Sequence, residues 1–213
     1  MRLRTVLKKC LHNKNFIIGL CMVGLMVLVM VVGFFYMPYD PDAMDTENEL
    51  QFFSAAHPLG TDQFGRDVLS RIMQGARVSF LVGALTVVFG LVVGGAVGAI
   101  AGYYGGKVDE VIMKLIDTQM AFPGVLLALM LIAVFGNGIQ NLILALGVMS
   151  IPRFARITRS GFIKYRDAEF IRAARSRGAG DGRIIFRHIL PNIVPELIVT
   201  SSLGFAGAVM SEA

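Results

Sequence analysis

The chain has 213 residues, of which 55% are hydrophobic and only 16% charged, with a mean hydropathy of +0.66. Soluble domains hold about 45–50% apolar and about 25% charged residues, so this composition excludes a soluble enzyme and defines an integral membrane protein. Its net charge of +5 matters less than how the charges are distributed among the loops.

The first uncharged run, Phe16–Tyr36, is long enough to span a bilayer. No small-residue cleavage site follows it, so it reads as a retained anchor rather than a signal peptide. Residues 37–77 are polar and acidic, carrying Asp40, Asp42, Asp45, Glu47, Glu49, Asp62 and Asp67 against Arg66, Arg71 and Arg77. A second run covers Val78–Tyr104. A third covers Val111–Phe135, with Lys114 and Asp117 in its first turns, and "GNG" at 136–138 marks a tight turn after it. A fourth, Ile139–Ile151, is short for a crossing, so its helix is expected to continue past Pro152. A fifth covers Ile193–Met210.

Basic residues sort these runs. Arg2, Arg4, Lys8, Lys9 and Lys14 precede the first. Arg153, Arg156, Arg159, Lys164, Arg166, Arg172, Arg175, Arg177, Arg183 and Arg187 lie between the fourth and fifth, against Asp167, Glu169 and Asp181. Both segments are assigned to the cytoplasm by the positive-inside rule, and the acidic loop to the outside. The fold expected is an all-α polytopic bundle with five spans. The chain stops on "SEA" directly after an apolar run, so a sixth span is expected to be missing. Residues 1–76 form the basic N-terminus, first span and external loop. Residues 77–213 form the main membrane domain.

In the second run Gly90, Gly94, Gly98 and Gly102 recur every four residues and share one helix face. Small residues let membrane helices approach closely, so this face is expected to pack inside a bundle. Catalytic chemistry finds no footing. The two cysteines, Cys10 and Cys21, lie apart from any histidine cluster, so neither a disulfide framework nor a metal site follows. His12, His57 and His188 fall in separate loops, and "GGKV" at 105–108 lacks the spacing of a phosphate-binding loop. The deep parts of the runs hold no carboxylate, since Asp117 and Glu196 sit near their ends, which disfavours an ion-coupled transporter.

The remaining feature is "AEFIRAARSRGAGDGRIIFRHILPN" at 168–192. Asp167 can cap a first helix, in which Phe170, Ala173 and Ala174 share a face. Gly178 suits a left-handed terminator. Asp181 can cap a second helix with Ile184, Ile185, Ile189 and Leu190 as its apolar positions, and Pro191 can close it. Such a cytoplasmic helix–turn–helix can rest on anionic headgroups, dock into a partner's groove or, less easily when tethered at both ends, bind DNA.

This stretch resembles the EAA loop in permease subunits of ATP-binding cassette importers. Glu169, Ala173, Ala174, Gly178, Ile185 and Pro191 occupy its pattern, with Phe170, Ile171 and Arg172 separating Glu169 from the alanines. "HPLGTDQFGRDVLSRIMQGARVS" (57–79), "AGYYGGKVDEVIMKLIDTQMAFP" (101–123) and "SEA" (211–213) resemble the C-type permease of dipeptide, oligopeptide and nickel importers. The resemblance implies a subunit of the type I importer fold in the bacterial inner membrane, with its N-terminus cytoplasmic. It implies a second homologous permease, two cytoplasmic P-loop ATPases docked on the EAA loops, and an extracytoplasmic solute-binding protein. ATP and magnesium would act on the ATPases, with no cofactor, enzyme activity or nucleic-acid partner in this chain. The alternative is a non-transporting membrane subunit whose basic loop binds anionic lipid.

Overall fold

The computed structural model describes residues 14–136 and 138–212. Cys10, His12, the basic residues before Lys14, Asn137 and Ala213 lie outside them. The described residues form helices α1 (Lys14–Phe35), α2 (Val68–Tyr104), α3 (Gly106–Ala121), α4 (Gly124–Phe135), α5 (Ile139–Arg166), α6 (Glu169–Ser176) and α7 (Asp181–Glu212). The only extended pairing among them is a single bridge between Thr61 and Asp67. Two compact units divide at Phe80 and Leu81, within α2.

In the first unit, Gly33 of α1 lies against Met73, where an added Cβ would come 3.1 Å from the Met73 Cβ. Arg77 reinforces this contact, with its guanidinium 4.1 Å from the Phe34 ring centroid. The acidic segment is ordered by its own carboxylates. Asp62 accepts from the backbone N–H of Phe64 and Arg66, and from the Arg66 and Arg71 side chains. Asp67 accepts from the Ser70 N–H and hydroxyl, both at 2.8 Å, and pairs with His57 Nδ1 at 3.0 Å. Buried and placed just before α2, Asp67 caps that helix.

In the second unit, α2, α5 and α7 surround a core of Phe154, Phe162, Ile171, Ile184, Ile189 and Ile193, all fully buried. The α2 glycines make close approach possible. A Cβ at Gly94 would lie 2.5 Å from the Ile151 carbonyl, and one at Gly102 2.6 Å from that of Arg159. Gly90 and Gly98 abut Ser150 and the Ala155 carbonyl more tightly still. The expected stripe thus backs directly onto the α5 backbone, where any side chain would force the helices apart.

The apolar runs and the helices differ in three places. The third run is broken: α3 and α4 meet at 91°. Pro123 disfavours helical geometry at Phe122, which is extended instead. The fourth run continues through Pro152 to Arg166 as one helix of 28 residues. Pro152 has no N–H to offer the Val148 carbonyl, and the Gln119 side-chain amide of α3 donates to that oxygen at 2.6 Å. Finally, the fifth span starts early, because the second arm of the 168–192 stretch and the last membrane helix are one helix, Asp181–Glu212. Pro191 does not close it. The turns before the proline, Ile184–Ile189, are π-helical, and Leu190 N–H donates to the Ile185 carbonyl. That wider turn lets the helix pass the missing donor.

By length and composition α1, α2 and α7 can each cross a membrane, and the bent pair α3–α4 offers a fourth crossing. The second half of α5 carries Arg153, Arg156, Arg159 and Arg166 of the basic residues expected between the fourth and fifth spans. Arg159 pairs with Asp109 and Arg156 with Asp117, both acids of α3.

Candidate functional site

The 168–192 stretch is packed against the cytoplasm-assigned end of the second unit. Its first arm, α6, begins after Ala168. Asp167 is not its cap: it ends α5, and its carboxylate pairs with Arg166 at 3.2 Å. The arm closes in a Schellman motif. Gly178 N–H donates to the Arg175 carbonyl at 2.9 Å, and Ala179 N–H reaches the Ala174 carbonyl at 3.1 Å. The motif needs a left-handed residue at Gly178, whose φ is +81°.

The expected face of Phe170, Ala173 and Ala174 is divided between surface and core. Ile171 and Ala174, one turn apart, are buried in the core. Phe170 and Ala173 are exposed, as are Glu169 and Arg172. The sequence favoured the alanine pair because small residues signal close approach. Ile171 is the stronger anchor, since a β-branched apolar side chain buries more surface. The outer face therefore presents a short aromatic and small-residue surface beside a carboxylate and a guanidinium.

The second arm is the first part of α7. Gly180 caps it, and Asp181 does not cap it with its side chain. Ile184 and Ile189 are fully buried, Ile185 and Leu190 partly so, and Phe186 is exposed. Pro191 lies within the helix and is exposed. Of the matched residues, then, Ala174 faces the core and Ile185 is half-buried. Glu169, Ala173, Gly178 and Pro191 face outward.

Sequence reasoning missed Tyr103, the penultimate residue of α2. It is 7% exposed, and its hydroxyl donates to the Asp181 carboxylate and accepts from Arg175 Nη2 at 3.0 Å. One phenol thus touches both arms. Its lone signal in the sequence is a tyrosine pair before a glycine pair, "YYGG". Arg166 adds a bond from its Nη1 to the Gly102 carbonyl at 3.0 Å, fixing the end of α5 to the same end of α2.

Between α2 and α7 runs an apolar groove of about 670 Å³, lined by residues including Leu91, Gly95, Leu197 and Ile198. Thr158 also lines it, 1% exposed, and its hydroxyl has no hydrogen-bond partner among the described residues. No group of three metal-ligating side chains occurs among them either.

Among the described residues, an apolar helical bundle carrying a basic two-armed element has the architecture of a membrane permease subunit. Residues 94–213 match the family described as binding-protein-dependent transport system inner membrane component. Residues 2–55 match the N-terminal TM domain of oligopeptide transport permease C. The dipeptide transport system permease protein DppC of Alkalihalophilus pseudofirmus is 40% identical over 210 residues, covering 99% of this chain and 69% of that protein. The glutathione transport system permease protein GsiD of Pectobacterium atrosepticum is 39% identical over 195 residues, covering 89% and 65%. The di/tripeptide transport system permease protein DppC of Pseudomonas aeruginosa is 35% identical over 208 residues, covering 95% and 69%. The chain belongs to the binding-protein-dependent inner membrane permease family, and within it to the C type of ATP-binding cassette permeases. It spans about two thirds of the length of these relatives.

Proposed function

We propose that this chain is one permease subunit of an ATP-driven importer of short peptides. It forms the translocation path with a second homologous permease, and two cytoplasmic ATPases dock onto the loops of the pair, on this chain onto its arms at 169–191. ATP and magnesium act on those ATPases, and an extracytoplasmic binding protein delivers the solute. The N-terminus and the arms are cytoplasmic, as the basic residues around them favour.

The observation that carries this reading is the pair of arms. Their inner residues Ile171, Ala174, Ile184 and Ile189 are buried against the spans, while Phe170 and Ala173 stand outward. An element so anchored moves with the bundle, and its outer face is free for a partner. Short peptides are favoured over nickel because the relatives described above are named for dipeptides, di/tripeptides and glutathione.

Two measurements test the proposal. Ala173→Trp adds bulk on the outer face without touching the core, and is expected to abolish co-purification of the ATPases while leaving the permease in the membrane. Retention of the ATPases would remove the docking role. Uptake competition in a strain lacking the gene, complemented by it, is expected to show displacement by dipeptides and tripeptides. Competition by nickel alone would overturn the solute assignment.

A further inference from the structure

Among the described residues, hydrogen bonds from side chains of the spans to the arms converge on one atom, the Tyr103 hydroxyl. It donates to Asp181, the first residue of the second arm, and accepts from Arg175, in the last turn of the first. The Arg175 guanidinium also lies 5.6 Å from the Tyr103 ring centroid. The ring itself belongs to the same core as Ile171 and Ile184. Between Arg175 and Asp181 lies only the turn through Gly178, where an added Cβ would meet nothing within 4 Å. Apolar packing holds each arm on the bundle, and the phenol adds the polar tie across the turn, with one charged partner on each arm; it is carried by the helix whose glycine face packs on α5.

We propose that Tyr103 is the positioning residue of transport coupling. Its hydroxyl locks the two arms at one angle and ties them to the end of α2, so that a displacement imposed on the arms moves that helix. The inference rests on the reading that the arms receive the ATPases. It adds which atom passes the motion on. A packing role would need only the ring. The coupling role needs the hydroxyl, the Asp181 carboxylate and the Arg175 guanidinium together.

The test uses the full transporter, purified with its ATPases and reconstituted with its binding protein and a dipeptide. Tyr103→Phe keeps the ring and removes the bridge. It is expected to retain the ATPases and their basal hydrolysis, but to lower peptide-stimulated hydrolysis and uptake about tenfold, the scale of a hydrogen bond to charged groups. Asp181→Ala is expected to match it, and Asp181→Asn, which keeps an acceptor oxygen, to recover part of the loss. The double variant Tyr103→Phe with Asp181→Ala is expected to be no worse than either single one, because both remove the same bond. The ratio of stimulated to basal hydrolysis is the deciding quantity, since loss of folded protein lowers both alike. Wild-type stimulation in Tyr103→Phe, or additive losses in the double variant, overturns the role of Tyr103 while docking stands. Failure of the wild-type chain to retain ATPases overturns the docking reading and this inference with it.

Discussion

The side-chain amide of Gln119 donates to the Val148 carbonyl across 2.6 Å, replacing the backbone bond that Pro152 cannot make. The proline is thereby tolerated in mid-helix, and α3 is tied to α5 at the same point. Gln119→Leu keeps the volume but leaves the carbonyl half-buried and unpaired. It is expected to cost about 1–3 kcal/mol, read as a lower melting temperature in detergent. Adding Pro152→Ala restores the backbone donor and is expected to recover most of the loss. Equal melting of Gln119→Leu and the native chain would show that the amide contributes nothing.

Gly178 stands where the first arm turns, with φ of +81° and open space beyond its Cα. An added methyl group therefore meets no neighbour, and the cost of Gly178→Ala is backbone strain alone, about 1–2 kcal/mol. Gly178→Asn is expected to be milder, since asparagine adopts the left-handed region more readily. The check is the order of melting temperatures, glycine above asparagine above alanine. Any other order would mean that the turn does not set the cost.

Much of this architecture was legible in the sequence, and where it was not the reason is local. The glycines of α2 sit at exact helical spacing and carry no competing signal, so their packing face could be read directly. Gly178 was equally plain, because a glycine after a basic turn has few other uses. Prolines misled. Pro191 reads as a helix end, yet a π-helical stretch before it carries α7 onward. Pro152 passes only because Gln119, far off in sequence, takes its donor role. The burial of Ile171 and Ala174 in place of the full expected face of α6 was hidden for a related reason. Periodicity places Ile171 with Ala174 as readily as Phe170 with Ala174, and the Ile184–Ile189 packing that decides between them is tertiary. Tyr103 left almost no trace, since a hydroxyl bridging two arms depends on residues 72 and 78 positions away.

The acidic segment between α1 and α2 is expected to be acid-sensitive. Burial raises the carboxyl pKa of Asp67, but the hydrogen bonds from His57 and Ser70 outweigh it and hold the group below its ordinary value. A carboxylate whose folded pKa is depressed stabilises the fold above its unfolded pKa of about 3.9, and that stabilisation is lost as pH falls through the folded value. Hydrogen exchange in residues 54–70 is expected to be constant from neutral pH down to about pH 5 once corrected for intrinsic rates, and to accelerate below about pH 4. Asp67→Asn is expected to exchange faster at neutral pH and to lose the acid step. An acid step that survives in Asp67→Asn would assign it to another carboxylate.

Thr158 is the reverse case, a polar group whose removal is expected to help. Its hydroxyl is buried at the wall of the apolar groove beside Gly95 and has no partner among the described residues. A buried hydroxyl without a hydrogen bond carries a desolvation cost of about 1–3 kcal/mol. Valine has nearly the same shape and no such cost. Thr158→Val is therefore expected to raise the melting temperature of this chain or leave it unchanged, whereas Thr158→Ala opens a cavity and lowers it. The comparison separates shape from polarity at one position. If valine were as destabilising as alanine, the hydroxyl would be making a bond that offsets its burial.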